Sequence, residues 1–254
     1  MNPALEFRNV SVTTESGRQL LQDVSLAVAE GSVTAIIGRS GSGKTTLLRT
    51  ANRMVVPAKG SVVVPGATEG DVVALRRRMG YVIQETGLFP HFTVERNIGI
   101  VLEAEGRSRL QRRDRASELL LKVGLDPAGF AHRYPHQLSG GQRQRVGLAR
   151  ALAAEPKILL MDEPFGALDP LTRAEMQDML RELLRSVRTT VLLVTHDLDE
   201  ALYLADQIVL LNEGRVIVNV RREEFLHSEH PEAIAYARAF HRGQDRTDGK
   251  VSRT

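Results

Sequence analysis

The stretch that most restricts how this chain can fold is Gly38-Arg39-Ser40-Gly41-Ser42-Gly43-Lys44-Thr45. It follows an apolar run, Val33–Ile37, that reads as a short buried strand, and it precedes residues 46–54, which read as the first turns of a helix. Strand, glycine-rich loop and helix in that order is the setting in which G-x-x-x-x-G-K-[ST] forms a phosphate-binding loop. Gly38, Gly41 and Gly43 allow left-handed turns with no side chain in the way. Backbone N–H groups can then converge on one anion, and the helix start adds the positive end of its dipole. Lys44 would reach the β- and γ-phosphates, Thr45 would offer its hydroxyl to Mg²⁺, and Thr46 would follow in the first helical turn as a further nucleotide contact. The loop therefore implies that a nucleotide is bound.

The remaining composition sets limits. A chain of 254 residues can be one large domain or two small ones, and 42% hydrophobic with 26% charged residues is ordinary for a soluble globular protein. No apolar run approaches the ~18–20 residues that a membrane span needs. The N-terminus, with Asn2, Pro3 and Glu6, does not read as a signal peptide. The absence of cysteine excludes disulfides and thiolate metal sites, and it fits a cytoplasmic setting. The net charge of +3 is spread along the chain and tryptophan is absent, so no nucleic-acid partner is expected. The densest basic cluster, Arg107, Arg109, Arg112, Arg113 and Arg115, reads as a solvated helix face.

Taken in order, residues 4–12 and 20–29 alternate apolar and polar and predict two antiparallel strands around a polar turn. After the loop and its helix, short strands are expected at 61–64 and 79–84. From about residue 85 to 154 the pattern is helical: 93–105 capped by Thr93, 110–123 ending at Gly124, and 141–154. Strand and helix then alternate, with strands at 157–162, 190–195, 207–211 and 215–220 and helices at 170–187 and 197–205. This order predicts a mainly parallel sheet covered on both faces. Short helices at 223–227 and 231–240 follow, and 241–254 is expected to be a disordered basic tail.

The apolar strand at 158–162 ends in Asp162 and Glu163. Next to a phosphate loop, an acid at the end of such a strand holds Mg²⁺, a role that fits Asp162. A carboxylate immediately after it can take a proton from the attacking water, which fits Glu163.

Leu138-Ser139-Gly140-Gly141-Gln142 resembles the signature sequence of ATP-binding cassette (ABC) ATPases. Ser139 with the N–H groups of Gly140 and Gly141, and Gln142 after them, would make a second anion site at a helix start. One ATP does not need two such sites in one chain. A head-to-tail dimer does, because each signature closes over the partner's nucleotide. The resemblance, which runs from about residue 4 to 220, implies further roles. Gln84 looks like the Q-loop glutamine that contacts Mg²⁺ and the attacking water, Asp169 closes a D-loop, and His196 looks like the switch histidine at the γ-phosphate. The adenine-stacking aromatic of the family has no counterpart in residues 12–18, which leaves aliphatic contact or stacking by Arg18.

The fold implied is α/β: a P-loop NTPase (RecA-like) core with a mainly parallel sheet, an N-terminal antiparallel β subdomain and an inserted α-helical subdomain. Residues 1–85 and 155–220 would form the nucleotide-binding core with the β subdomain, 86–154 the helical signature subdomain, and 221–254 C-terminal helices and the basic tail. A cassette with no membrane span implies separate permease subunits, and residues 87–98 resemble the segment of importer cassettes that docks them. Asn52-Arg53-Met54, Pro57 and residues 76–84 most resemble cassettes for quaternary-amine osmoprotectants such as glycine betaine, choline and proline betaine. The segment from Gly66 to Ala74 is shorter than in that group, and no regulatory pair of cystathionine-β-synthase type is expected after residue 220. The resemblance thus implies ATP and Mg²⁺ as ligands and a second copy of the chain as partner. It also implies an indirect link to a substrate-binding protein and a peripheral place on the cytoplasmic face of the inner membrane. Importers of amino acids or other small solutes, and non-transport ABC ATPases acting on DNA or ribosomes, are the alternatives.

Overall fold

The computed structural model describes residues 3–67, 70–84 and 86–248. Nine strands and ten α-helices are assigned there. In the first half of the chain they are β1 (Pro3–Thr13), β2 (Gln19–Ala29), β3 (Val33–Ile37), α1 (Lys44–Ala51), β4 (Lys59–Val63), α2 (Val72–Arg77), β5 (Met79–Val82), α3 (Val94–Ala104) and α4 (Arg109–Lys122). The second half contains α5 (Pro127–Phe130), α6 (Gly140–Leu152), β6 (Ile158–Asp162), α7 (Pro170–Ser186), β7 (Thr190–Val194), α8 (Leu198–Leu204), β8 (Gln207–Asn212), β9 (Arg215–Arg221), α9 (Arg222–Phe225) and α10 (Pro231–Asp248).

The chain divides into two compact units. The first comprises Met1–Ala4, Ala29–Gly31 and Val64–Leu192, and the second Leu5–Val28, Ser32–Val63 and Leu193–Thr254. In the first unit β5 runs parallel to β6, with Met79 to Val82 opposite Ile158 to Met161. Every residue of β6 is buried, as a continuous apolar run in a parallel sheet requires. Helices α3, α4 and α6 pack on one another, and α6 also lies against β5. Gly80 permits that approach, because a Cβ there would stand 2.4 Å from the carbonyl oxygen of Ala151. The arginine cluster of α4 is only partly solvated. Arg112 is ion-paired with Glu103, and Arg115, 18% exposed, pairs with Glu118. Arg115 also donates to the carbonyl oxygens of Leu152 and Ala153, so it covers the C-terminal end of α6.

In the second unit β3 runs parallel to β8, and β8 pairs antiparallel with β9. A separate three-stranded sheet has the order β2, β1, β4. Its buried residues change phase in mid-strand: Leu5 and Phe7, then Val10 and Val12, in β1; Leu21, then Val24, Leu26 and Val28, in β2. A strand keeps one face inward across such a slip only by inserting a residue. Asn9 and Asp23 do so, with left-handed φ values of 50° and 53°, and the pairing of β1 with β4 shifts between Arg8 and Ser11. Asn9 Nδ2 donates to Asp23 Oδ1 at 2.9 Å, while Ser25 Oγ and Ser11 Oγ accept the backbone N–H groups of Asn9 and Asp23. The two irregularities are thus stapled together.

The expected elements occur with boundaries shifted by up to a few residues, and α2 and α5 are additional. The exception is the C-terminal segment, where α10 continues to Asp248, past the 231–240 expected from sequence. No proline interrupts 241–248, its arginines and glutamine are good helix formers, and its one glycine, Gly243, costs the helix only about 1 kcal/mol. The remainder of the expected tail, 249–254, lies outside the described residues. No helix among the described residues is long and apolar enough to cross a membrane.

Gly60 sits against the staple, with φ +78° and a Cβ position 2.3 Å from the carbonyl oxygens of both Arg8 and Asn9. Gly60→Ala should therefore destabilise the fold by about 1–3 kcal/mol, read as a lower urea midpoint. An unchanged midpoint would contradict the close approach.

Candidate nucleotide site

In the second unit β3 delivers the chain into the loop with Ala35, Ile36 and Ile37 fully buried. The three glycines serve different ends. Gly38 (φ +150°) passes so close to β8 that a Cβ would lie 2.1 Å from the Leu211 carbonyl oxygen. A Cβ on Gly43 (φ +104°) would lie 2.7 Å from the Leu20 carbonyl oxygen, whereas Gly41 (φ +78°) faces open space and supplies the turn alone. The hairpin between β8 and β9 braces the loop, since Gly214 N donates to Ser42 O and Gly214 O accepts from Gln22 N.

Helices α3, α4, α6, α7 and α8 each start under a side-chain oxygen that accepts a first-turn N–H, from Thr93, Ser108, Ser139, Asp169 and Asp197. Helix α1 starts on Gly43 with no side-chain cap. Lys44, 6% exposed, donates from Nζ to the carbonyl oxygens of Gly38 and Arg39 at 2.9 and 3.0 Å, which holds the ammonium over the loop. Ser42 is 4% exposed, and its buried hydroxyl has no hydrogen-bond partner. An uncapped helix start, a buried cation and an unsatisfied hydroxyl suit an anion. Arg39, Ser40 and Gly41 are exposed, and Thr45 and Thr46 are half-buried.

His196 lies between β7 and α8, and its neighbours fix its backbone. Thr195 N donates to Ile36 O at 3.2 Å, and the Thr195 hydroxyl donates to the buried Glu200 carboxylate at 2.5 Å. The His196 carbonyl accepts the Tyr236 hydroxyl at 2.8 Å. Val12 is buried in β1 and Arg18 is exposed at the end of the following turn.

The other site residues belong to the first unit. Asp162, 6% exposed, ends β6 and accepts the Tyr81 hydroxyl at 3.3 Å. Glu163 follows with a left-handed φ of 45°, so the chain turns sharply at the second acid. Gln84 and Glu163 both overlie Gly166: a Cβ there would stand 3.5 Å from Gln84 Nε2 and 3.8 Å from Glu163 Oε2. Ser139 caps α6 reciprocally with Gln142, its Oγ accepting from Gln142 N at 3.2 Å while Gln142 Oε1 accepts from Ser139 N at 3.0 Å. The Ser139 hydroxyl keeps its own proton for another acceptor. Gly141 abuts Thr172 of α7, and Asp169 caps that helix, so the start of α6 and the start of α7 are neighbours. Hydrogen bonds from the Thr172 side chain and N–H hold the Asp169 carboxyl below the usual carboxylate range.

Two positions escaped the sequence reading. Arg150 of α6 donates to the carbonyl oxygens of Thr86 and Gly87 at 2.6 and 2.7 Å, pinning the chain just after Gln84, and burial pushes its pKa down. Asn97 is fully buried, accepts from Phe89 N at 2.8 Å and donates to the carbonyls of Phe89, Phe92 and Thr93, each at 3.1 Å. That amide shapes the exposed turn in which His91 meets Phe89 and Phe92 edge to face, the two phenylalanines pack at a tilt, and Arg96 covers Phe92 at 3.8 Å. A polar residue at an inward position of α3 was the available signal for Asn97. Nothing local marked Arg150.

Known proteins are similar to this chain. The choline transport ATP-binding protein OpuBA of Bacillus subtilis (strain 168) is 46% identical over 84% of this chain, and the chain spans 56% of OpuBA's length. The glycine betaine uptake system ATP-binding protein YehX of Escherichia coli (strain K12) is 48% identical over 84% of the chain and 69% of YehX. The ATP-binding cassette MJ0796, solved as a dimer in a post-hydrolysis state bound to ADP and Pi, superposes with a TM-score of 0.76 at 34% identity, covering 86% of this chain and 98% of MJ0796. The sequence profile of the ABC transporter family matches residues 21–166, more than half of the chain and the whole stretch from phosphate loop to signature and acids. The chain belongs to the ABC transporter family.

Proposed function

We propose that this chain is the ATP-hydrolysing subunit of an ABC importer that energises uptake of a quaternary-amine osmoprotectant such as glycine betaine, choline or proline betaine. The observation that carries the ATPase reading is the α1 start, which has no side-chain cap and lies beside the buried Lys44 and the unsatisfied Ser42 hydroxyl. The substrate class rests on the similarity to OpuBA and YehX, whose names specify choline and glycine betaine.

In this reading the N–H groups from Gly41 to Thr46 hold the phosphates and Lys44 neutralises their charge. Thr45, Gln84 and Asp162 offer oxygen atoms, the donor type that Mg²⁺ takes. The ion, when bound, would offset charge on the β- and γ-phosphates. Glu163 takes the proton of the attacking water, Gln84 orients that water, and His196 contacts the γ-phosphate. Ser139, Gly140, Gly141 and Gln142 act on the nucleotide of a second copy of the chain, and Asp169 helps to form the junction between copies. The aromatic turn at Phe89–Phe92 meets the permease, and movement there passes to Gln84 through the segment that Arg150 pins. The subunit would sit peripherally on the cytoplasmic face of the inner membrane, linked to a substrate-binding protein only through the permease.

Lys44→Ala should weaken ATP binding by about 30-fold or more, the cost of removing one partner of a close charge pair, and unchanged affinity would refute the loop assignment. Ser139→Ala should leave ATP binding to the chain intact but slow hydrolysis by about 10²–10³-fold, as removal of a transition-state donor does, and hydrolysis at the unmutated rate would refute the shared site. Cells producing the chain with its permease should accumulate labelled glycine betaine or choline only when Lys44 is intact. Uptake of an amino acid instead would overturn the substrate assignment.

A further inference from the structure

We propose that Tyr236, on α10, is a positioning residue for His196, so that the C-terminal helix sets the rate of hydrolysis from outside the shared motifs. The proposal rests on the reading of His196 as the switch residue. Glu232 and Tyr236 are four residues apart on α10 and therefore lie on one face of the helix. Both are engaged with the walls of the nucleotide loop. Glu232 Oε2 accepts from Asn212 Nδ2 at 2.7 Å, and Asn212 adjoins Leu211, whose carbonyl oxygen is the atom that closes on Gly38. Tyr236 Oη donates to the His196 carbonyl at 2.8 Å. A cavity lined by Arg39, Leu211, Asn212, Glu232 and Tyr236 lies under this face, so α10 borders the loop residue Arg39 as well.

His196 needs such a contact because of where it stands. It lies outside both β7 and α8, so no sheet or helix ladder fixes its carbonyl. Thr195 secures the chain on one side, through Ile36 O and the Glu200 carboxylate, and Asp197 secures the other by capping α8. Tyr236 adds a hold on the His196 carbonyl. That peptide plane is held at its N–H edge by Asp197 N donating to Thr195 Oγ1 at 3.0 Å and at its carbonyl edge by Tyr236. Loosening the second hold lets the plane tilt and shifts the imidazole relative to a γ-phosphate, and misplacement of about 1 Å can cost up to 10²-fold in rate. Losing one hydrogen bond while keeping the ring is a smaller change.

The experiment uses the full chain with ATP and Mg²⁺. Tyr236→Phe removes only the hydroxyl and keeps the packing of α10. It should lower kcat about three- to tenfold with KM for ATP and the unfolding midpoint unchanged, and it should move the imidazole NMR resonances of His196. A role confined to packing would not move the His196 resonances or split kcat from KM. An unchanged kcat, or a lower unfolding midpoint with the His196 resonances in place, would overturn the proposal. His196→Ala separates the two layers. If it hydrolyses ATP at the full rate, the switch assignment falls and the proposal with it. If it is inactive while Tyr236→Phe is fully active, the switch assignment stands and only the role of Tyr236 is lost.

Discussion

An α-helix begins with N–H groups that its own ladder cannot satisfy, and what meets them decides what a helix start can do. Most longer helices of this chain meet them with a Ser, Thr or Asp oxygen. Helix α1 begins on glycine, which costs only a few tenths of a kcal/mol relative to serine and brings no capping side chain of its own. The surroundings keep that opening in place. Gly38 and Gly43 are seated against backbone carbonyls of Leu211 and Leu20, and the β8–β9 turn holds Ser42. Stability and binding thus compete at one position, and the rest of the second unit is arranged to tolerate the loss.

The chemistry of the first unit follows from a different device, the end of a buried strand. β6 is apolar until Asp162, and the chain turns through a left-handed residue at Glu163, the next acid. Gly166 leaves room for Gln84 and Glu163 to approach the same point. The signature is a well-capped helix start, satisfied within its own chain by Gln142, in contrast with α1. One incomplete and one complete helix start in a single chain fit a site assembled from two copies, with the incomplete one holding the nucleotide and the complete one presenting a ready hydroxyl to it.

Much of this was readable from residues in line. The phosphate loop, the signature and the acid pair are contiguous strings whose chemistry depends on local spacing, and the long helices and buried strands follow from periodicity. What could not be read depends on contacts distant in sequence. The phase slip at Asn9 and Asp23 is visible as a broken alternation, but its stapling through Ser11 and Ser25 requires two strands side by side. Arg150 meets Thr86 and Gly87 more than sixty residues away, and Tyr236 meets His196 forty residues away, each through a backbone carbonyl that any residue type provides. Helices as short as α2 and α5 offer too few turns to show a period. The C-terminal helix ran beyond its expected end because polar composition alone does not stop a helix, and a lone interior glycine such as Gly243 only weakens it.

The central claim is that the loop at Gly38–Thr45 is half of a site, completed by a second copy. The most direct measurement is the sedimentation of Glu163→Gln with labelled ATP and Mg²⁺, because removal of the base should stop the cycle with the nucleotide in place. The account predicts a stable dimer that carries two unhydrolysed ATP molecules for every two chains. A monomer at saturating ATP, or a chain that still hydrolyses at the unmutated rate, would contradict it.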